Sequence, residues 1–428
     1  MSQQAATMPG SLFDIPGVQG QTQWFDQPED TQDLAVTVSS SVQQPITGIQ
    51  DFRRTDVVLS WVLHFQFTSQ TFTAGTGQTL TTSAYAPYNV IGPVQLQIQN
   101  QYSSVKVESG IDLFILQLIR PYRRTAAQLQ ANNGANPGGA PVGAVGQGYL
   151  NASTPQANLV VPAQWTRSST AFDLFLGLPG GIWLDEYYAL SIDGNYLGAE
   201  PGLFVSPQYM AGTQRLIKPA VTMNPLLGAT TDIAPVQTTS NTPTSDTAST
   251  ASVTASLTIR RRGVYGSNST LVLPPVQPWQ YQVTTQRFSI AGQSLVTVKI
   301  PDNTGQLLSC WLRLFDPSAN SGVGAPIQLS ALSTNPGSVQ FQYGSGLTWF
   351  LGTAEELQYW WMEQRGVLLP QGTLAIDFAV DEQGTLSNKR TPNSYTTAGL
   401  QWVLQFTNPT SSTAYAVLGT ESLVYVTG

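Results

Sequence analysis

LSCWLRLF occupies residues 308–315, and a looser copy of it, LSWVLHF, occupies residues 59–65. Both are short apolar runs bounded by turn-forming residues, and both read as β-strands. A second pair follows in the same order. Val94-Gln95-Leu96-Gln97-Ile98 and Val339-Gln340-Phe341-Gln342-Tyr343 alternate apolar and polar residues with the period of a strand. Each then leads into a helix-start signature: Ser109-Gly110-Ile111-Asp112 opens IDLFILQLIR, and Thr353-Ala354-Glu355-Glu356 opens ELQYWWMEQR. In a capping box the first hydroxyl accepts from a backbone N–H and the carboxylate three residues on reaches back. The second segment is expected as a short helix. The first reads equally as helix or strand, because its apolar run is almost unbroken.

The parallel continues outward. LPGGIWLDEYYALSID (178–193) matches LPQGTLAIDFAVD (369–381), each with Leu-Pro-x-Gly before a strand. TQRLIKPAVTMNP (213–225) matches GLQWVLQFTNP (399–409), each ending on the turn signal Asn-Pro. SVTASLTIRR (252–261) and AYAVLGTESLVYV (414–426) close the two halves. No single match is specific, but the shared order points to a duplicated unit. Other strand-like runs are DLAVTVSS (33–40), VVLSWVLHFQF (57–67) and VQLQIQNQ (94–101), while helical patterns are scarce. The expected fold is therefore all-β, with two tandem eight-stranded jelly-roll domains of the β-sandwich or barrel kind, a few short helices and long loops.

The expected divisions are an arm over 1–32, a first jelly roll over 33–266, a Pro-rich linker over 267–280 and a second jelly roll over 281–428. Long loops are expected near 126–156, which is rich in Gly, Ala and Asn, and near 228–252, which ends in the run TTSNTPTSDTASTAS (238–252). Neither offers much apolar surface to bury, so both are expected outside the barrels, as linkers or as surface and intersubunit straps.

Composition narrows the function. Of 428 residues, 41% are hydrophobic but only 10% are charged, less than half of the roughly 25% usual in soluble domains. A surface dominated by Gln, Thr, Ser and Asn repels like copies weakly and so suits dense self-association. The net charge of −7 argues against a general nucleic-acid binder, which needs a basic face. The single cysteine, Cys310, allows no intrachain disulfide and reads as a core residue. No signal peptide or apolar membrane-spanning run is apparent.

These features together resemble the double jelly-roll major capsid proteins of tailless phages with an internal membrane, the tectivirus-like lineage. The resemblance rests on GGIWLDEYYALSIDGNYLGAEPGLF followed by QRLIKP, and on TAEELQYWWMEQRG, LPQGTLAIDF and GLQWVLQF. It covers most of residues 50–428 as order and spacing rather than close identity. It implies a coat protein that assembles as pseudo-hexagonal homotrimers of six barrels. Such trimers tile an icosahedral shell over an internal membrane. The implied partners are further copies of the chain, other virion proteins at vertices and in the membrane, and the membrane lipids. No sequence-specific nucleic-acid binding and no cofactor is implied. The related arm can form an amphipathic helix, but Pro9, Gly10, Pro16 and Gly17 would break one here.

Candidate chemistry is sparse. His64 is the sole histidine, where nucleophilic triads need a histidine base and zinc sites draw on several His or Cys ligands. Asp185 and Glu186 are adjacent on a strand and point to opposite faces, so they cannot act on one sugar. Glu355 and Glu356 are explained by the positive end of a helix. Asp377 and Asp381 could be solvated or hold calcium in a turn. The glycosylation-like triplets at Asn151 and Asn268 are patterns that recur by chance. No catalytic or metal site is expected.

Two features remain as candidate contact sites. Basic clusters at Arg53-Arg54, at Arg120 with Arg123-Arg124, and at Arg260-Arg261-Arg262 all fall at expected element ends. They would either be solvated or converge on one barrel rim to face lipid headgroups or an acidic neighbour. Tyr359, Trp360 and Trp361 cannot all face one core from a helix, so one or two are expected at a subunit interface or beneath a loop. The alternative reading is a phage spike, a receptor-binding protein or a carbohydrate-binding β-sandwich.

Overall fold

The computed structural model describes residues 24–50, 57–83, 85, 88–98, 102–119, 172–178, 189–192, 195–198, 217–228, 232–240, 248–266, 279–302, 304–322, 324–344, 347–365, 369–378 and 399–425. The first half contributes β1 (Trp24–Thr37), β2 (Gln44–Pro45), β3 (Val57–Thr73), β4 (Gln78–Thr82), β5 (Ile91–Ile98) and β6 (Tyr102–Val107). Helix α1 (Gly110–Ile119) comes next, then β7 (Phe172–Leu178), β8 (Ala189–Ile192), β9 (Asn195–Gly198), β10 (Ile217–Met223), β11 (Leu227–Gly228), β12 (Val236–Ser240) and β13 (Thr250–Gly266). The second half contributes β14 (Trp279–Ser289), β15 (Leu295–Lys299), β16 (Gln306–Asp316), β17 (Ala325–Pro326), β18 (Val339–Tyr343) and β19 (Leu347–Gly352). Helix α2 (Ala354–Arg365) precedes β20 (Thr373–Asp377), β21 (Gln401–Gln405) and β22 (Tyr415–Tyr425).

The duplication is visible in the strand order. One sheet of the first half runs β1-β13-β3-β7, and its counterpart runs β14-β22-β16-β20. In both, the first strand of the half pairs with its last, which pairs with a long early strand, which pairs with the strand after the helix. The opposing sheets correspond too: β2-β10-β5-β6 in the first half and β15-β21-β18-β19 in the second. The repeated motifs fall on matching strands, LSWVLHF on β3 and LSCWLRLF on β16, and the two alternating runs on β5 and β18. A short parallel bridge, Val105 with Val283 and Lys106 with Thr284, joins β6 to β14 and links the halves into one nine-stranded sheet.

Each half builds its core by strand alternation. In β13, Val253, Ala255, Leu257 and Ile259 point inward, opposite Leu63 and Phe65 of β3. In the second half, Cys310, Leu312 and Leu314 of β16 join Val339, Phe341, Trp402 and Leu404 in the same apolar cluster. Phe341 packs edge-on against Trp402 with ring centroids 5.4 Å apart, an arrangement aromatic quadrupoles favour.

Helix α2 is closed by the expected capping box. The Thr353 backbone N–H donates to Glu356 Oε2 at 2.7 Å, and the Glu356 N–H donates to Thr353 Oγ1 at 3.1 Å. The other signature also opens a helix, which settles its helix-or-strand ambiguity, but its box does not form. Asp112 has one methylene fewer than glutamate, and its carboxylate turns into the protein instead.

Several boundaries differ from the sequence reading. Strand β1 begins at Trp24, inside the stretch expected as an arm, because residues 24–27 pair with 263–266 of β13. Strand β14 likewise takes the last two residues of the expected linker, Trp279 and Gln280. The Leu-Pro-x-Gly match is out of step: the first-half partner of β3 is FDLFLGL, which ends on Leu178, the first residue of the motif, and the strand after the motif, β8, pairs with β9, whereas β20 follows its own motif and pairs with β16. The Thr/Ser run is not wholly loop. Thr238–Ser240 pair with Gln78–Leu80, and residues 250–252 open β13, since β-branched threonine suits a half-exposed strand. The loop near 126–156, residues 1–23, residues 267–278, Asp185, Glu186, Asp381, Asn151 and Asn268 lie outside the described residues.

Candidate assembly interface

Strand β16 is buried along almost its whole length, on both faces. Its even positions fill the second-half core. Of its odd positions, Trp311, Arg313 and Phe315 meet the first half, and Ser309 bonds Glu421 of β22. That contact is the most developed surface in the described residues, and it is built around charge. Asp112, in the first turn of α1, receives two hydrogen bonds from Arg313, Nε to Oδ1 and an Nη to Oδ2, each at 3.2 Å. Trp311 Nε1 lies 3.5 Å from the same Oδ1. Arg313 stands over the Tyr85 ring, 5.1 Å from its centroid. Burial disfavours the Arg313 charge, yet the Asp112 carboxylate beside it holds the guanidinium proton more tightly than usual.

A second polar group lies further along the same junction. Tyr415 of β22 donates its hydroxyl to Asp232, which is also approached by Arg287 at 3.4 Å. Arg287 reaches Glu108 at 3.2 Å and covers the Tyr415 ring at 4.2 Å. Phe315 sits between Tyr85 and Tyr415, 5.7 and 5.6 Å from their centroids. The Glu108 N–H donates to Thr285 Oγ1 at 2.8 Å, and Gln237 Nε2 donates to the Gly322 carbonyl at 3.0 Å. Gly419 lies beneath the Trp311 indole, where a Cβ would overlap the ring. The halves are thus held by paired charges and a tyrosine layer, with Trp311 laid flat on Gly419 of its own sheet.

Burial raises the phenol pKa of Tyr85 and of Tyr415 above the usual value, with Asp232 adding to the effect at Tyr415. A folded state that keeps protons the unfolded chain gives up loses stability as pH rises. Both contributions are therefore complete below the unfolded tyrosine pKa of about 10 and decline above it, by about 1.4 kcal/mol per pH unit for each tyrosine. Denaturant midpoints measured from pH 8 to 11 should be flat at first and then fall, and Tyr85→Phe with Tyr415→Phe should flatten the fall.

The expected site residues are distributed unevenly. Arg53, Arg54, Arg120, Arg123 and Arg124 lie outside the described residues. Arg260, Arg261 and Arg262 are not at an element end. They sit within β13, opposite Val62, Trp61 and Ser60 of β3, because β13 continues to Gly266. Their side chains, and that of His64, lie outside the described residues. Of the helix aromatics, Trp361 is fully buried and donates to the Ala375 carbonyl at 2.8 Å. Trp360 packs edge-on against it at 5.2 Å, and Tyr359 is 67% exposed. Asp377 is neither solvated nor in a turn. It is buried on β20, opposite Ser309, whose hydroxyl donates to the equally buried Glu421 at 2.9 Å. Burial pushes the Cys310 thiol well above its usual pKa, as the core reading requires.

Sequence reading took Asp112 for a cap and passed over Arg313 and Gly419. A usable signal existed: each charge stands alone in an apolar run, IDLFILQLI and LSCWLRLF, where it is stable only with a buried partner.

Two sandwiches of matching strand order, joined side by side, define a protein of the double jelly-roll class. No protein-family model matches the chain, and no curated protein matches its sequence. Among solved structures, the chain is similar in fold to the STIV MCP, from Sulfolobus Turreted Icosahedral Virus, with a TM-score of 0.50 and 14% identity over 95% of this chain and 97% of that one. Weaker likenesses extend to the PBCV-1 virus capsid (TM-score 0.47, 12% identity, 95% and 94% covered) and to the major capsid protein P2 from Bacteriophage PM2 (TM-score 0.42, 10% identity, 94% and 98% covered).

Proposed function

We propose that this protein is the major coat protein of an icosahedral virus and that its role is structural rather than catalytic. The observation that carries the reading is the duplicated double jelly roll itself, which matches the STIV MCP in fold along nearly the full length of both chains. Closed sandwiches limit free strand edges and so restrict association to chosen faces. The buried junction joins the two barrels into one unit, which suits a tile. The low charge of the chain favours packing of such tiles.

On this reading three copies form a ring of six barrels, and these pseudo-hexagonal trimers tile a shell over an internal membrane. Other virion proteins complete the vertices. The basic clusters face acidic groups on neighbouring copies or lipid headgroups. Light scattering of the purified protein should give a complex of three times the 46.0 kDa chain. A stable monomer at micromolar concentration, with saturable binding to a glycan, would instead support a receptor- or carbohydrate-binding role.

A further inference from the structure

The sheet β15-β21-β18-β19 turns one face to the second-half core, through Val296, Val298, Trp402, Leu404, Val339 and Phe341, and the other outward. On the outer face the register sets Thr297, Val403, Gln340 and Leu351 side by side across the sheet, with Lys299, Gln401, Gln342 and Thr348 in the row below. Leu295 and Gln405 lie in the row above. Lys299 is the only charged residue among these, and none is aromatic, so the face offers a sugar no ring to stack on. The glutamines are chained. Gln401 Nε2 donates to Gln342 Oε1 at 3.2 Å, Gln342 Nε2 donates to Gln340 Oε1, and Gln340 Nε2 donates to the Gly337 carbonyl at 2.6 Å. Long side chains on a solvated sheet face usually keep their rotamer freedom. These are ordered before any partner arrives, and each amide keeps a second N–H to offer. At opposite edges of the face, Leu295 of β15 and Leu351 of β19 are 63% and 64% exposed.

We infer that this outer face is the seam between neighbouring trimers, each chain meeting the same face of a chain in the next trimer about a two-fold axis along the strands. This rests on the coat-protein reading and specifies the contact between tiles. The junction inside the chain is built on buried charge, whereas this seam is neutral and hydrogen-bonding.

The face suits a second copy. Amides donate and accept at once, so a glutamine strip complements itself where a charged strip would repel its copy. A two-fold along the strands exchanges the two edges of the face. Leu295 of each chain then comes opposite Leu351 of the other, and both leucines leave water. The direction of that axis follows from the fold. Strands β6 and β14 run parallel across the junction, so the strands of both halves lie along the axis of a ring of barrels, and a two-fold between rings of one layer is parallel to that axis. The area agrees as well. Strands about 4.8 Å apart and same-face residues about 6.8 Å apart give a face of about 400 Å², roughly half of the 800 Å² per partner found in stable pairs. Such a contact is too small to hold two free chains but sufficient when each trimer makes several at once.

The test uses the full chain with Val403→Glu, which sets a like charge against its copy near the centre of the seam. Light scattering should still give trimers, which also shows that the variant folds. The concentration at which sheets or shells appear in negative stain should rise about tenfold. Gln342→Ala with Gln401→Ala should raise it by a smaller factor. In an otherwise unaltered chain, Leu295→Cys with Leu351→Cys and a short bis-maleimide should give covalent pairs of chains in assembled samples only, Cys310 being buried. Within one chain the two positions stand about 14 Å apart across the sheet, beyond a reagent spanning about 8 Å. Assembly unaffected by Val403→Glu, or shells that form without the cross-link, would overturn the seam and leave the coat-protein reading intact. A chain that stays single at assembly concentrations would overturn both.

Discussion

Asp112→Ala should lower the stability of the folded chain by about 3–5 kcal/mol, because it leaves the Arg313 guanidinium buried without its partner. Asp112 and Arg313 are 0% and 1% exposed, so water cannot replace the lost carboxylate without opening the junction. Guanidinium unfolding followed by tryptophan fluorescence reads the loss directly, since Trp311 lies against the same carboxylate. The double variant Asp112→Leu with Arg313→Met should recover most of it, as apolar replacements of a buried pair often do. If the single variant lost less than 1 kcal/mol, the pair would not be what joins the halves.

Gly419→Ala should be nearly as damaging through packing rather than charge. Gly419 pairs with Trp311 across β16 and β22, and the indole lies over its Cα. An added methyl must displace a fully buried ring in a layer already filled by Phe315, Tyr85 and Tyr415. Overpacking of this kind costs about 1–3 kcal/mol and occasionally more. A lowered thermal midpoint is expected, with partial recovery when Trp311→Leu makes room. An unchanged midpoint would mean that the two halves shift apart freely.

The features legible in the sequence were those encoded locally. Alternation in VQLQI and VQFQY and the Thr353–Glu356 box report backbone preferences within a few residues, and each falls where it was expected. The order of these signals was enough to reveal the duplication. What escaped was set by contacts between residues far apart in the chain. Asp112 and Arg313 are separated by 201 positions, and only the fold shows that a would-be capping carboxylate serves the other half. The Leu-Pro-x-Gly match misled because the motif marks a turn without saying whether the sheet strand comes before or after it. The arginine triplet looked like a strand end because polar residues usually bound strands, whereas β13 continues through it to pair with β1 and β3 on both sides.

The matching strand orders carry the view of this chain as a doubled unit shaped to meet its own copies. Negative-stain imaging of the purified protein tests that view most directly. The expected class averages show threefold particles with six lobes, two for each chain, which pack edge to edge into sheets or shells as concentration rises. Two-lobed single particles that never associate, or particles with only twofold symmetry, would contradict it.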